Sequence, residues 1–195
     1  MSRIPLLEPP YAPSIQASFD QIMPPGAPPL LLFRAVASSE RAWRKFRGGS
    51  LLDPGPLSLR QREIVIDRTC ALNGCEYEWG VHVTAFAAAA RLTEEEVAAT
   101  VLYPPTAPCW SAAEQALIAA VDALHARARL SDAEFAALAQ NHGRDQILEI
   151  ILLAGFYRTV AYMVGALDLP LEPAAARFPH RAVIPPSMTS SAPVT

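Results

Sequence analysis

Four short motifs that begin α-helices recur between residues 58 and 134, and they constrain the fold more than any other feature of the sequence. In each, a serine or threonine is followed three residues later by glutamine or glutamate; they start at Ser58, Thr93, Ser111 and Ser131. In such a capping box the hydroxyl accepts from a backbone N–H of the first turn, and the later side chain bonds back. With abundant alanine and leucine, these motifs predict an all-α protein.

The spacing of apolar residues and chain breakers predicts eight helices. They lie at about residues 14–23, 29–47, 58–72, 74–90, 93–101, 111–128, 131–141 and 144–167. Asn73 followed by Glu76 is interpreted as a variant capping box that begins the helix holding Cys75. We expect no fixed-period repeat and three parts: an amino-terminal helical extension (1–50), a helical domain (51–172) and an extended carboxy-terminal tail (173–195), loose from about Pro185.

Composition favours a globular protein that associates with copies of itself. The 195 residues are 51% hydrophobic and 18% charged, with a net charge of −3 and no basic run, so nucleic acid is not an expected partner. The apolar stretch Ile147–Leu167 could span a bilayer, but Glu149 and Arg158 favour a buried or interfacial helix. The start shows no signal peptide, and three cysteines form neither CxxC nor a zinc pattern. We therefore expect a cytoplasmic protein without metal or membrane contact.

The segment NGCEYEWGVH places unlike reactive groups on one helical face. Cys75, Glu78 and His82 are spaced i, i+3, i+7. On the preceding helix Glu63 interrupts an apolar stripe, so it must be paired, protonated or functional. Because a tight turn at Gly74 makes the two helices an antiparallel hairpin, we expect Glu63 to contact His82. A histidine held by one carboxylate and near another has the arrangement of a proton-transfer site.

Each of these residues also has a purely structural interpretation. Glu63 could form a buried ion pair with Arg62 or Arg158, and the i, i+4 Glu/His pair could be a surface contact. Cys75 could be a small core residue; in the functional interpretation its place at a helix start stabilises the thiolate. The four residues together favour a site.

The segment LSLRQREIVIDRTCALNGCEYEWGVHVTAFAAAARLTEEEV (57–97) resembles the core motif of the carboxymuconolactone decarboxylase and alkylhydroperoxidase D superfamily. GFYRTVAYMVGALDLPLEP (155–173) resembles its closing helix, and the resemblance extends over roughly residues 30–172. It implies an alkylhydroperoxidase D-like helical bundle, assembled as trimers or hexamers. The peroxidase branch has a glutamate, a CxxC pair and a histidine. Here Glu78 replaces the second cysteine, whereas the decarboxylase branch has glutamate at that position.

The resemblance implies a cofactor-independent decarboxylase-like enzyme acting on a small carboxylated or lactone-type molecule by acid/base chemistry. In this hypothesis His82 moves the proton, Glu63 orients it, and Glu78 is the second acid or base. Tyr157 is a candidate to donate a hydrogen bond to the substrate, and Arg158 to bind a substrate carboxylate with two hydrogen bonds.

Two alternatives stay open. The first is a thiol-dependent peroxidase in which Cys75 is the single nucleophile and an external thiol reduces it. The second is a non-catalytic helical oligomer or binding protein that has kept the scaffold. Under all of them the helix expected in FRAVASSERAWRKF (33–46) covers the site or packs on a neighbouring subunit.

Overall fold

The structure, a computed structural model, describes residues 2–179 and contains α-helices without strands over that range, so the all-α prediction is confirmed. The expected loose segment from Pro185 lies outside the described residues. In chain order the helices are α1 (Pro13–Ile22), α2 (Leu31–Val36), α3 (Glu40–Arg47), α4 (Leu59–Leu72), α5 (Glu76–Phe86), α6 (Glu94–Leu102), α7 (Ala112–Arg127), α8 (Asp132–Ala139) and α9 (Arg144–Leu167).

The capping boxes begin four of these helices as predicted. Both reciprocal hydrogen bonds are present at each, in the helices α4, α6, α7 and α8. The helix predicted over 29–47 is instead two helices, because Ser39 breaks the run and caps α3 by accepting from Ala42 N.

The prediction for Asn73 was wrong. Its side chain does not cap α5 but donates to the carbonyl of Thr69, inside the last turn of α4. Cys75 itself is the residue preceding α5. An asparagine in a helix–turn–helix segment can serve either neighbour, and here the tight turn leaves it within reach of the earlier helix.

Helix α4 is the centre of the bundle and packs against α5, α6, α7 and α9. Every residue from 63 to 70 is buried, so polar members of this run lie in the core beside the apolar ones. Buried polar groups require partners or a chemical reason to lack them. The polar residues of α4 are therefore the first place to look for function.

Helix α9 is long and apolar enough, by length and composition alone, to cross a membrane. One face carries Ile150, Leu153, Tyr157 and Val160, which are buried against the rest of the bundle. The helix is buried on this side, whereas Leu148, Leu152 and Tyr162 on its other faces are exposed.

The carboxy-terminal strap (residues 169–179) crosses the face of α5 that lies opposite Glu78 and His82. The amide of Ala176 donates to the Gly80 carbonyl and to the Thr84 hydroxyl, and the Phe178 amide donates to Glu76. A Cβ added to Gly80 would lie 2.2 Å from the Ala176 carbonyl oxygen, so only glycine fits beneath the strap. The strap thus fixes α5 from behind.

The amino-terminal extension shares the core with the helical domain. Phe46 of α3 lies 5.2 Å from Phe156 of α9, measured between ring centroids, and Phe156 contacts Tyr157. The amide of Leu32 donates to the Tyr77 hydroxyl on α5. The extension therefore packs over α5 and α9 of its own chain, on the side where Tyr157 lies.

Candidate active site

The turn between α4 and α5 determines which residues of the two helices meet. Gly74 has a φ of +64°, and the amides of Gly74 and Cys75 donate to the carbonyls of Ala71 and Cys70 at 3.0 and 2.9 Å. These two bonds form a Schellman motif, which ends a helix at a left-handed glycine and reverses the chain. The facing sides of α4 and α5 consequently lie against each other, which brings Glu63 to His82.

His82 lies between two carboxylates. Its Nδ1 is 2.8 Å from Glu63 Oε2, and its Nε2 is 3.6 Å from Glu78 Oε1. All three side chains are buried, with His82 3% exposed. The predicted contact of Glu63 with His82 is present. The two sides of the ring differ, since Nδ1 has a short hydrogen bond whereas Nε2 faces Glu78 beyond hydrogen-bond distance.

The two carboxylates keep the imidazole charged. Burial alone lowers the pKa of His82, but the hydrogen bond to Glu63, the close approach of Glu78 and the charges of both carboxylates raise it to about 10. At neutral pH His82 is therefore an imidazolium with a proton on each nitrogen. The ring can donate a proton from Nε2 while Glu63 holds Nδ1.

The guanidinium beside the Glu63–His82 pair belongs to Arg62, not to Arg158. Arg62 donates from Nε to Glu63 Oε1 at 2.9 Å and from Nη1 to the Leu52 carbonyl, and it lies over the Phe86 ring. In the sequence, one sign of this role is the position of Arg62 directly before Glu63. The charge of Arg62 partly neutralises that of Glu63.

Arg158 points away from the site, so its predicted contact with substrate has no support in this geometry. Its Nε donates to the Tyr162 hydroxyl at 2.6 Å, and its Nη1 donates to the His125 carbonyl at 3.2 Å. Adjacent residues on a helix point in different directions, and Tyr157 takes the direction of the site.

Two aromatic rings flank His82. Tyr157 is 1% exposed and meets the imidazole edge to face at 5.0 Å, and Phe86 lies 5.3 Å away on the same helix as His82. Burial, followed by the negative charges of Glu78 and Glu63, raises the pKa of the Tyr157 hydroxyl well above its ordinary value. Tyr157 therefore keeps its proton and can donate it in a hydrogen bond; donation to a substrate stays a prediction.

Cys75 lies at the start of α5 but is not activated. It is 5% exposed, and burial raises the pKa of its thiol to about 11, although the backbone of Glu78 acts in the opposite direction. The expectation of a thiolate stabilised by the helix start is not met, because loss of water outweighs the favourable backbone group.

Asp67 is a buried acid that the sequence pattern did not single out. It lies one turn after Glu63 on α4, is 1% exposed, and neither of its carboxyl oxygens has a hydrogen-bond partner. Burial raises the pKa of Asp67 well above its ordinary value, the charge of His82 opposes this, and that of Glu63 adds to it. Oε2 of Glu78 is likewise buried and unpartnered. Such unpaired atoms can be recognised only in the folded structure, because their neighbours come from different helices.

Within residues 2–179 no group of histidine, cysteine, aspartate and glutamate has a metal-binding arrangement. Two surface clefts lie away from His82. One of about 390 Å³ is bordered by Arg68, Tyr103 and Asp122, and one of about 380 Å³ by residues of the segment 16–29. We place the candidate active site at His82 because the unpaired acids and the charged imidazole are there, whereas Arg68 and Asp122 bond to each other.

The family profile described as the carboxymuconolactone decarboxylase family matches residues 38–123. That range contains Glu63, Cys75, Glu78 and His82. Among curated proteins, none matches the sequence at a significant level.

Several solved structures are similar to this chain. A peroxidase-related protein from Silicibacter has a TM-score of 0.76 at 17% identity, covering 88% of this chain and 92% of its own. An alkylhydroperoxidase AhpD core protein from Ralstonia eutropha has a TM-score of 0.72 at 19% identity, covering 88% and 93%. A debrominase has a TM-score of 0.66 at 19% identity, covering 87% and 91%. At such identities the likeness establishes the fold and leaves the chemistry to the site itself.

Proposed function

We propose that this chain, a member of the superfamily of carboxymuconolactone decarboxylases and AhpD-like proteins, is a cofactor-independent enzyme of the decarboxylase type. Its substrate would be a small carboxylated or lactone-type molecule. The observation that carries this proposal is the asymmetric setting of His82, which has Nδ1 bonded to Glu63 and Nε2 facing the unpaired carboxylate of Glu78.

The imidazolium supplies the proton that completes a decarboxylation. When the bond from the substrate to its carboxylate breaks, carbon dioxide leaves and the electron pair remains on carbon as an enolate. Nε2 of His82 then protonates that carbon, and Glu63 holds the ring through Nδ1. A pKa of about 10 keeps the proton on His82 until so basic a species forms.

Glu78 is the second acid or base in this scheme. Its Oε2 is buried and free of hydrogen bonds, so it can accept a proton from the substrate or return one to His82 after turnover. The Tyr157 hydroxyl can donate to a substrate oxygen. Arg62 takes the role expected of Arg158, since its guanidinium is the one beside the site and can bind a carboxylate.

The test is turnover of a carboxymuconolactone-type substrate by the purified protein, followed as loss of the lactone and release of carbon dioxide. We expect His82→Ala to lower turnover by at least about a hundredfold, because general acid catalysis contributes that much or more. His142→Ala is the matched control, since His142 is also buried but bonds Gln61 and the Leu138 carbonyl outside the site. Equal turnover by wild type and His82→Ala would exclude the role of His82.

A thiol peroxidase using Cys75 alone is less well supported. The raised pKa of Cys75 makes its thiolate scarce at neutral pH, and the thiolate is the nucleophile. Peroxide consumption that depends on Cys75 would favour this function over the first. A non-catalytic role predicts instead that Glu63 and His82 affect stability alone.

We also propose that the chain assembles with copies of itself, as a trimer or hexamer. Large apolar side chains are exposed on α9, among them Leu148, Leu152 and Tyr162. Removing such a surface from water favours association. Light scattering that gives the mass of a single chain would contradict the assembly. The absence of a membrane or nucleic-acid partner and the cytoplasmic location stay predictions.

A further inference from the structure

The Schellman turn that joins α4 to α5 also brings two cysteines together. In this motif the residue three places before the helix cap and the second residue after it lie side by side, and their side chains commonly contact each other. Here those two positions are Cys70 and Cys75, because α4 ends at Leu72 and Asn73 is its cap. The left-handed Gly74 between them completes the motif.

The backbone hydrogen bond between the two cysteines limits their separation. The amide of Cys75 lies 2.9 Å from the carbonyl oxygen of Cys70. With fixed bond lengths on either side, the two Cα atoms cannot be more than about 7 Å apart, and any bend in the arrangement brings them closer. Disulfides join Cα atoms about 4.4–6.8 Å apart, so the hydrogen bond places this pair close to the range that a disulfide spans.

The two thiols differ in access. Cys70 is fully buried and Cys75 is 5% exposed, and both are free in this structure. Burial, followed by the charges of Glu78 and Cys75, raises the pKa of Cys70, which agrees with their being neighbours. The sulfur of Cys75 is thus the one that meets a reagent, and that of Cys70 is the one behind it.

We propose that Cys70 and Cys75 are a dithiol site that a hydroperoxide converts to an intramolecular disulfide. The Cys75 sulfur attacks one peroxide oxygen, the O–O bond breaks, and an alcohol leaves as Cys75 becomes a sulfenic acid. The Cys70 sulfur then attacks Cys75, the S–S bond forms, and the hydroxyl leaves as water. Two thiols lose two hydrogens in all, while the hydroperoxide is reduced to the alcohol and water.

This site differs from the single-cysteine peroxidase considered above, because Cys70 lies outside the motif that ends at His82. It does not rest on the proton-transfer function. Since the thiolate of Cys75 is scarce at neutral pH, we infer a slow reaction whose rate rises as the pH approaches the pKa of about 11. The oxidation of Cys70 and Cys75 is therefore a slow modification beside the candidate active site and not a rapid peroxidase cycle.

The experiment is peptide mass spectrometry on the reduced full-length protein, treated with cumene hydroperoxide at pH 7 and pH 9. After the remaining thiols are alkylated, trypsin releases residues 69–91 as one peptide, which contains Cys70 and Cys75, whereas Cys109 lies in another. We expect the 69–91 peptide to be unalkylated and two hydrogens lighter than its reduced form. The disulfide should form faster at pH 9 than at pH 7. A dithiol reductant should restore both alkylation sites.

Two variants sharpen the result. Cys109→Ser should form the disulfide as wild type does, whereas Cys70→Ser should leave Cys75 as a sulfenic acid that dimedone traps. Recovery of wild-type peptide with both thiols alkylated, or with oxidised Cys75 beside an alkylated Cys70, would overturn the proposal. The wild-type measurement decides this even if Cys70→Ser does not fold.

Discussion

Of the three arginines in helix α4, Arg62 and Arg68 lie six residues apart and differ in their surroundings. Arg68 lies in a complete set of hydrogen bonds, whereas Arg62 borders an incomplete one. Arg68 donates from Nε and Nη2 to the two carboxylate oxygens of Asp122 at 2.6 and 2.7 Å. Its Nη1 donates to the carbonyls of Thr100 and Tyr103. The carboxylate and both carbonyls thus have a charged donor.

Around Arg62 the network stops short. Arg62 bonds Glu63, and Glu63 bonds His82, but the next member, Glu78, keeps one buried oxygen without a partner. The carboxyl oxygens of Asp67, one turn along α4, have no hydrogen-bond partner within residues 2–179. Unpaired buried polar atoms cost stability, and a folded chain retains them where chemistry uses them. The difference favours a structural role for the Arg68 group and supports the proposed catalytic role of the His82 group.

The largest expected effect comes from breaking the complete network. Arg68→Met removes the charged donor of the Asp122 carboxylate and of the Thr100 and Tyr103 carbonyls, so we expect the free energy of unfolding to fall by about 3 kcal/mol. Urea denaturation measures this. The double variant Arg68→Met with Asp122→Leu removes both charges and should recover most of the loss. A loss below about 1 kcal/mol in the single variant would mean that the pair is not a structural element.

The incomplete network should respond in the opposite way. Glu78→Gln keeps the shape of the side chain but removes its charge, so we expect turnover to fall by about a hundredfold. The free energy of unfolding should change by less than about 1 kcal/mol, because Oε2 has no partner to lose. Kinetics and urea denaturation on one preparation test both. A large fall in the free energy of unfolding with normal turnover would reverse the assignment of the two networks.

The dependence of stability on pH offers a further comparison. The pKa of His82 is raised from 6.5 to about 10 in the folded chain, so the folded state binds the extra proton more tightly than the unfolded state does. The resulting stabilisation is fully present below about pH 6.5 and is lost as the pH rises through 10. Urea denaturation across this window should show falling stability in wild type and a shallower slope in His82→Gln. Identical slopes would contradict the charged state of His82.

The smallest effect is expected at Asp67. Asp67→Leu replaces an unpaired buried acid with an apolar side chain, so we expect the free energy of unfolding to rise by about 1 kcal/mol at neutral pH. Because burial raises the pKa of Asp67, the folded state also disfavours its ionisation, and the variant should gain more as the pH rises above 3.8. Asp67→Asn, which keeps a polar group there, serves as the control. Destabilisation by Leu would indicate a partner for Asp67, such as water.

Local rules predicted the helices and the central contact well. Capping boxes act within one turn, so Ser58, Thr93, Ser111 and Ser131 could be recognised from the letters alone. The contact of Glu63 with His82 followed from the tight turn at Gly74, which makes α4 and α5 an antiparallel hairpin. Where a residue had two neighbours within reach, as Asn73 did, sequence offered no way to choose between them.

Properties that depend on distant segments were not predictable. Cys75 was expected to be activated by its helix start, but burial by the whole bundle decides its pKa. Arg62 and Arg158 looked equivalent as partners of Glu63 until the packing of α9 turned Arg158 towards Tyr162. The strap over Gly80 involves residues about a hundred positions away, and no local sequence pattern predicts that it crosses α5.

That crossing also sets a time order for assembly. Because the ribosome synthesises the chain from its amino terminus, α4 and α5 emerge well before residues 176 and 178. The amides of those two residues donate hydrogen bonds to side chains of α5. Until then the back of α5, including Glu76 and Thr84, is uncovered. A nascent chain that already contains every residue around His82 therefore still lacks part of the support of the helix that carries it, and the site matures only with the last residues of the strap.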